Sequence, residues 1–107
     1  MNTNARRVLI LEINLMTQAI KKILIENDKV RVSRWTFPLG TETGQHLHEL
    51  AYIVVPTTTG TLVIRDSQGR RDNNLVAGSP YYRNAGVEHN VFNEGSSEMS
   101  FIEIELK

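Results

Sequence analysis

Apolar and polar positions alternate along most of this chain, and the alternation breaks repeatedly at turn residues. In Val30-Arg31-Val32-Ser33-Arg34-Trp35-Thr36-Phe37 the even positions oppose Arg31, Ser33 and Trp35, which is the period of a strand half buried on one face. Ala19 to Glu26 forms a preceding run, joined to it by Asn27-Asp28. That pair predicts a tight hairpin turn, because both residues tolerate positive φ. A helix over 17–26 with Thr17 as N-cap is the competing element. Pro38-Leu39-Gly40 ends the second run. Further strands are predicted over Tyr52 to Val55, Thr61 to Arg65, Arg70 to Val76, Tyr81 to Arg83, His89 to Phe92 and Met99 to Leu106. Turn residues separate them, notably Asp66-Ser67-Gln68-Gly69, Asn84-Ala85-Gly86 and Asn93-Glu94-Gly95. About eight to ten short strands at this spacing predict an all-β domain, a small antiparallel β-barrel or sandwich. The last run alternates cleanly, so Glu103 and Glu105 share a face that is read as wet, at a rim or an edge.

Residues 1–16 follow this scheme least. Asn2-Thr3-Asn4 is polar, and Val8 to Leu15 suits a strand or a short helix. We expect an N-terminal arm over 1–16, packing on the barrel or on a partner subunit to bury Ile10, Leu11, Ile13 and Leu15. Met16 is an alternative start. The single domain then spans 17–107. Arg6-Arg7 before Val8-Leu9-Ile10-Leu11 hints at a signal peptide, but Glu12 and Asn14 interrupt the apolar run and no clean cleavage site follows. A chain of 107 residues suits one domain. Its 12 basic and 12 acidic residues cancel, which argues against a nucleic-acid partner. No apolar run approaches the ~20 residues of a membrane span. Cysteine is absent, so disulfides and thiolate ligands are excluded. The expectation is a cytoplasmic protein whose metal site, if present, uses nitrogen and oxygen donors.

All three histidines fall in two stretches, Gly40 to His48 and Gly78 to Asn93. Positions i and i+2 of a strand face the same way, so His46 and His48 project together with Cα atoms about 6.5–7 Å apart. Imidazoles on such a base can converge on one ion with bonds of about 2.0–2.1 Å. His89, from a strand nearby in space, would be the third ligand. Neutral imidazole suits zinc, iron, copper or nickel. Spacing alone leaves a surface pair and a structural His89 open as alternatives.

Gly40, five residues, His46-Leu47-His48, three residues, Tyr52 and then Gly60 resembles the first sequence motif of the cupins. Gly78, five residues, Asn84-Ala85-Gly86, two residues, His89, three residues and Asn93 resembles the second. Asn84 replaces the proline of that motif, and Tyr52 stands where the first motif has a glutamate. Glu49 has the wrong strand parity to substitute for it. The wider pattern is similar to small single-domain BauB-like cupins of bacteria. It includes Asn27-Asp28, Val54-Val55-Pro56, Ala85-Gly86-Val87-Glu88-His89 and the tail from Phe101 to Lys107.

The resemblance implies a double-sheet jelly roll and one divalent transition metal ion: iron, zinc, nickel or manganese, with iron favoured. The ligands would be His46, His48 and His89, as in three-histidine cupin dioxygenases. It implies a metal-dependent enzyme for a small polar or anionic molecule, most plausibly an iron-dependent dioxygenase. A metal or ligand sensor, or a metal-assisted isomerase or lyase, are the alternatives. Tyr52 would donate a hydrogen bond to bound substrate or oxygen. Arg83, if inward, would clamp an anion; if outward, it is a solvated rim charge. Trp35, Tyr81 and Tyr82 are candidates for the pocket wall, and Asn93 for orienting a ligand or a loop. A homodimer is expected, with residues 5–15 at its interface.

Overall fold

The computed structural model describes residues 17–107; the N-terminal arm expected over 1–16 lies outside the described residues. Nine strands follow one another: β1 (Ile20–Glu26), β2 (Val30–Phe37), β3 (His46–Leu47), β4 (Tyr52–Pro56), β5 (Gly60–Asp66), β6 (Gly69–Leu75), β7 (Tyr81–Arg83), β8 (Glu88–Phe92) and β9 (Met99–Leu106). They form a five-stranded sheet in the order β1-β2-β9-β4-β7 and a four-stranded sheet in the order β3-β8-β5-β6. Every pairing between these strands is antiparallel. Among the described residues no helix is long and apolar enough to cross a membrane.

The first hairpin forms as the alternation predicts, and the competing helix over 17–26 does not. β1 pairs with β2 from Ile20↔Thr36 to Glu26↔Arg31, with a register shift between Ile23 and Ile25. The turn is not built on positive φ, which no non-glycine residue among those described adopts. Instead Asn27 Oδ1 accepts hydrogen bonds from the Lys29 and Val30 amides, at 2.8 and 2.9 Å. The β5–β6 hairpin uses the same device, Asp66 Oδ1 accepting from the Gln68 amide.

Between the sheets lie Phe37, Val54, Leu62, Leu75, Met99 and Phe101, all nearly inaccessible to water. Each such side chain contributes about 1.5–3 kcal/mol by leaving water. Phe37 packs against Phe101 with ring centroids 5.6 Å apart.

Two strands turn the face that the pattern does not announce. On β2 the inward residues are Ser33, Trp35 and Phe37, while Arg34 is exposed. On β9 Glu103 is only 5% exposed and Glu105 is half buried, correcting the expected wet face. The cause is position: β9 lies in the middle of its sheet, between β2 and β4, and its inner face passes from core at Met99 and Phe101 to a cavity wall at Glu103. The outer face carries apolar residues as well. There the register aligns Ile25, Val32, Ile104, Ile53 and Tyr82 in one row across all five strands.

Candidate metal centre

The histidines reach one point from three backbone positions. His46 on β3 pairs in register with His89 on β8. His48 lies just past β3, where its amide donates to Val87 O (2.7 Å) and its carbonyl accepts from the Gly86 amide (2.8 Å). Gly86 has φ +99, a conformation that side chains other than glycine enter at a cost. The turn that carries His89 is thereby tied to the segment that carries His48.

The ring nitrogens converge. Nε2 of His46 lies 3.0 Å from Nε2 of His48, which lies 3.1 Å from Nε2 of His89. One donor atom from each residue falls within 4.8 Å of the others. Two ligands bound to a common ion at about 2.0–2.1 Å, at roughly right to tetrahedral angles, stand about 3 Å apart. The His46 tautomer fits as well: Nδ1 bonds Gly44 O at 2.8 Å, so Nδ1 carries the proton and Nε2 keeps its lone pair. Gly44 is held with φ +83, and its amide donates to Asn90 Oδ1 at 3.0 Å. Gly44 and Asn90 therefore aim a ligand, a role that no motif marks in the sequence.

Burial keeps the His48 and His89 imidazoles neutral. His48 is lowered to about 3, first by burial and then by the charges of His46 and His89. His89 is lowered to about 4, again chiefly by burial and then by His46. Neutral imidazole is the ligand form, so the donor set fits a divalent transition metal.

Tyr52 occupies the position of the missing carboxylate. It is 3% exposed, and burial pushes its hydroxyl well above the ordinary tyrosine range. A neutral phenol is a hydrogen-bond donor and a poor metal ligand. The ring packs on His48 and lines an inner cavity together with Trp35, Tyr81, Glu103 and the three histidines. A wider mouth of about 440 Å³ opens past Lys21, Arg31, Glu49 and Glu105.

The inward anion clamp considered for Arg83 is not formed. Arg83 pairs with Tyr52 in register but ends the three-residue strand β7 at the rim, where it is exposed. Its guanidinium lies 4.5 Å from the Tyr81 ring centroid and donates to Tyr82 O. Tyr82 points outward and is 51% exposed. Asn93 is fully buried and orients a loop: its amide nitrogen donates to Phe37 O and Ser97 O, and its Oδ1 accepts from the Gly95 amide. Glu103, which the sequence reading placed in water, faces the histidines' cavity.

Two antiparallel sheets closed around a histidine-lined cavity define a cupin, and the chain belongs to that superfamily, among its small single-domain members. It is similar to the β-alanine degradation protein BauB of Pseudomonas aeruginosa PAO1, with 47% identity over 90 residues, 84% of this chain and 95% of that protein. A crystal structure of a cupin domain from Bordetella pertussis Tohama I superposes with a TM-score of 0.83 at 46% identity, covering 84% and 94% of the two chains. An RmlC-like cupin with a double-stranded β-helix fold from Methanocaldococcus jannaschii shares the fold at 14% identity and a TM-score of 0.70, covering 84% and 81%. No sequence-family profile matches the chain.

Proposed function

We propose that His46, His48 and His89 hold one divalent transition metal ion, and that the chain is a metal-dependent enzyme acting on a small polar molecule. The observation that carries this is the convergence of three Nε2 atoms at 3.0 and 3.1 Å on a cavity that opens to solvent. Bound there, the ion supplies Lewis acidity and, if it is iron, access to dioxygen chemistry. Three neutral ligands leave the ion its full charge, which favours an anionic donor group on the substrate.

Iron-dependent dioxygenation is the reaction we favour, supported by the all-histidine donor set with a tyrosine in place of the carboxylate. The other residues have definite tasks. Tyr52 offers a hydroxyl donor beside His48, and its ring excludes water from that side of the site. Gly44 and Asn90 hold the His46 ring in its tautomer. The name of the Pseudomonas relative points to β-alanine degradation, and we take a short amino acid or a derivative of one as the first substrate class to try. A cytoplasmic location is part of this reading, supported by the cysteine-free composition.

Metal analysis of protein purified without chelators tests the centre. One ion per chain is expected, with loss of that stoichiometry in His48→Ala; a metal-free preparation that takes up no added iron, zinc, nickel or manganese refutes it. Oxygen uptake by iron-loaded protein, offered thiols, diketones and amino-acid derivatives, tests the reaction. No uptake with any of them removes dioxygenation and leaves metal-assisted isomerisation, elimination or sensing.

A further inference from the structure

The cavity has a second polar end, built by β2 and β9, that the metal-centre chemistry leaves unused. Glu103 is 5% exposed and lines both the inner cavity and the mouth. A carboxyl so buried is costly without a partner. Trp35 lines the same two spaces, and its indole Nε1 is buried without a hydrogen bond. Two positions along β9, Glu105 Oε1 is also buried without a hydrogen bond. The face of the Trp35 ring closes this corner.

The chain itself shows what the corner accepts. The Lys21 ammonium lies 5.5 Å from the Trp35 ring centroid and 3.9 Å from Glu105 Oε1. An indole face and a carboxylate together are a cation receptor. Lys21 belongs to the edge strand β1, and its side chain is 36% exposed, so it can swing out to solvent. Arg31 Nη1 reaches the other oxygen of Glu105, at 3.4 Å, and holds that carboxylate in place.

We propose that Glu103, Glu105 and the face of Trp35 form an ammonium subsite, which receives a primary amine of a ligand whose other end meets the three histidines. Only the second half of this statement rests on the metal-centre reading. One end of the cavity then prefers an anionic donor and the other an ammonium. A mouth of about 440 Å³ holds a molecule of a few carbons. The substrate class is a short amino acid that binds as a zwitterion.

Trp35 is the single tryptophan of the chain, so its fluorescence reads this corner directly. Metal-free and nickel-loaded protein would be titrated with n-propylammonium, 3-aminopropanoate and propanoate. We expect a saturable change with n-propylammonium in both states. In the loaded protein 3-aminopropanoate should bind about tenfold more tightly than propanoate. Glu103→Gln should weaken both amine responses about tenfold without changing metal stoichiometry. Should that variant fail to fold, Lys21→Ala decides: vacating the corner should tighten n-propylammonium binding, and unchanged or weaker binding overturns the proposal. It is equally overturned if n-propylammonium gives no saturable response, if propanoate binds as well as 3-aminopropanoate, or if folded Glu103→Gln behaves as the parent does. Loss of metal stoichiometry with retained n-propylammonium binding would sink the metal centre alone.

Discussion

The ring of Tyr52 lies flat on the imidazole of His48, with centroids 3.9 Å apart and planes inclined by 18°. The side chain that replaces a carboxylate in the first motif thus fixes the orientation of a neighbouring ligand by packing. Tyr52→Phe keeps that packing and removes only the hydroxyl. We expect metal content and melting temperature to stay near the parent's, while turnover falls about five- to tenfold, the effect of one hydrogen bond of about 1 kcal/mol. Steady-state kinetics beside metal analysis separate this from a structural role, in which both would fall together.

Acid should destabilise the metal-free protein. His48 and His89 are held at about 3 and about 4, against an ordinary 6.5. Below pH 6.5 the unfolded chain takes up protons that the folded one refuses, so stability present above 6.5 is lost as pH falls toward 4 and then 3. The slope approaches about 1.4 kcal/mol per pH unit for each histidine. Glu103 is raised, chiefly by burial, and works in the opposite direction, since its folded form takes up a proton earlier. Two groups against one leave a net loss on acidification. Urea unfolding of chelator-treated protein at several pH values between 4 and 7.5 measures it, and a flat profile would show the histidines to be solvated.

Gly44 should matter to a metal that it never touches. Its carbonyl receives the His46 Nδ1 proton while its own φ is +83. Gly44→Ala would place a β-carbon in the left-handed region at a cost of about 1–2 kcal/mol. We expect metal affinity to drop roughly tenfold, as for other groups that aim a ligand. A competition titration with a chromophoric chelator reads this, and parental affinity would refute the orienting role.

Arg83→Ala should be nearly silent. The guanidinium rests on Tyr81 at the rim and donates only to a neighbouring carbonyl. Stability should change by about 0.5 kcal/mol or less, and KM for an anionic substrate should stay within about twofold of the parent's. A large rise in KM would mean that Arg83 swings inward when substrate binds.

We propose a homodimer joined through the outer face of the five-stranded sheet, where Ile25, Val32, Ile104, Ile53 and Tyr82 are aligned across the strands. Ile25 is 52% exposed, and a second copy of the same row is complementary to it about a two-fold axis. Sedimentation velocity should show a dimer that Ile25→Lys converts to a monomer; a monomeric parent removes the proposal.

Strand positions were legible because alternation and turn residues are local signals. The hairpin at Asn27, the run of β4 and the limits of β9 all follow from neighbouring residues. Which face turns inward was not legible for β2 and β9. Ser33 turns into the interior and Glu103 and Glu105 line the cavity or its mouth, while Ile102 and Ile104 face out, because the inner face of this sheet carries polar groups at its site end beside the apolar core residues Phe37, Met99 and Phe101. The histidine cluster was legible from the resemblance of two stretches to the cupin motifs. The residues that serve it were not, since Asn90 meets Gly44 across 46 positions of the chain, and Glu103 reaches the cavity only because β9 inserts between β2 and β4. For Arg83 the sequence left both directions open; in the structure it is exposed, with its guanidinium over the Tyr81 ring.

Strand β3 contributes only two residues to its sheet, and the chain on either side of it, from Gly40 to Ala51, reaches β8 and its flanks through irregular hydrogen bonds rather than a continuous ladder. Two of the three histidines ride on this irregular segment, and the third sits on the regular strand beside it. An ion shared among them would therefore also act as a clasp. Starved of metal, the chain would open here first, exposing Leu47 to Ala51 to proteases. Its survival in a cell would then report the local supply of metal.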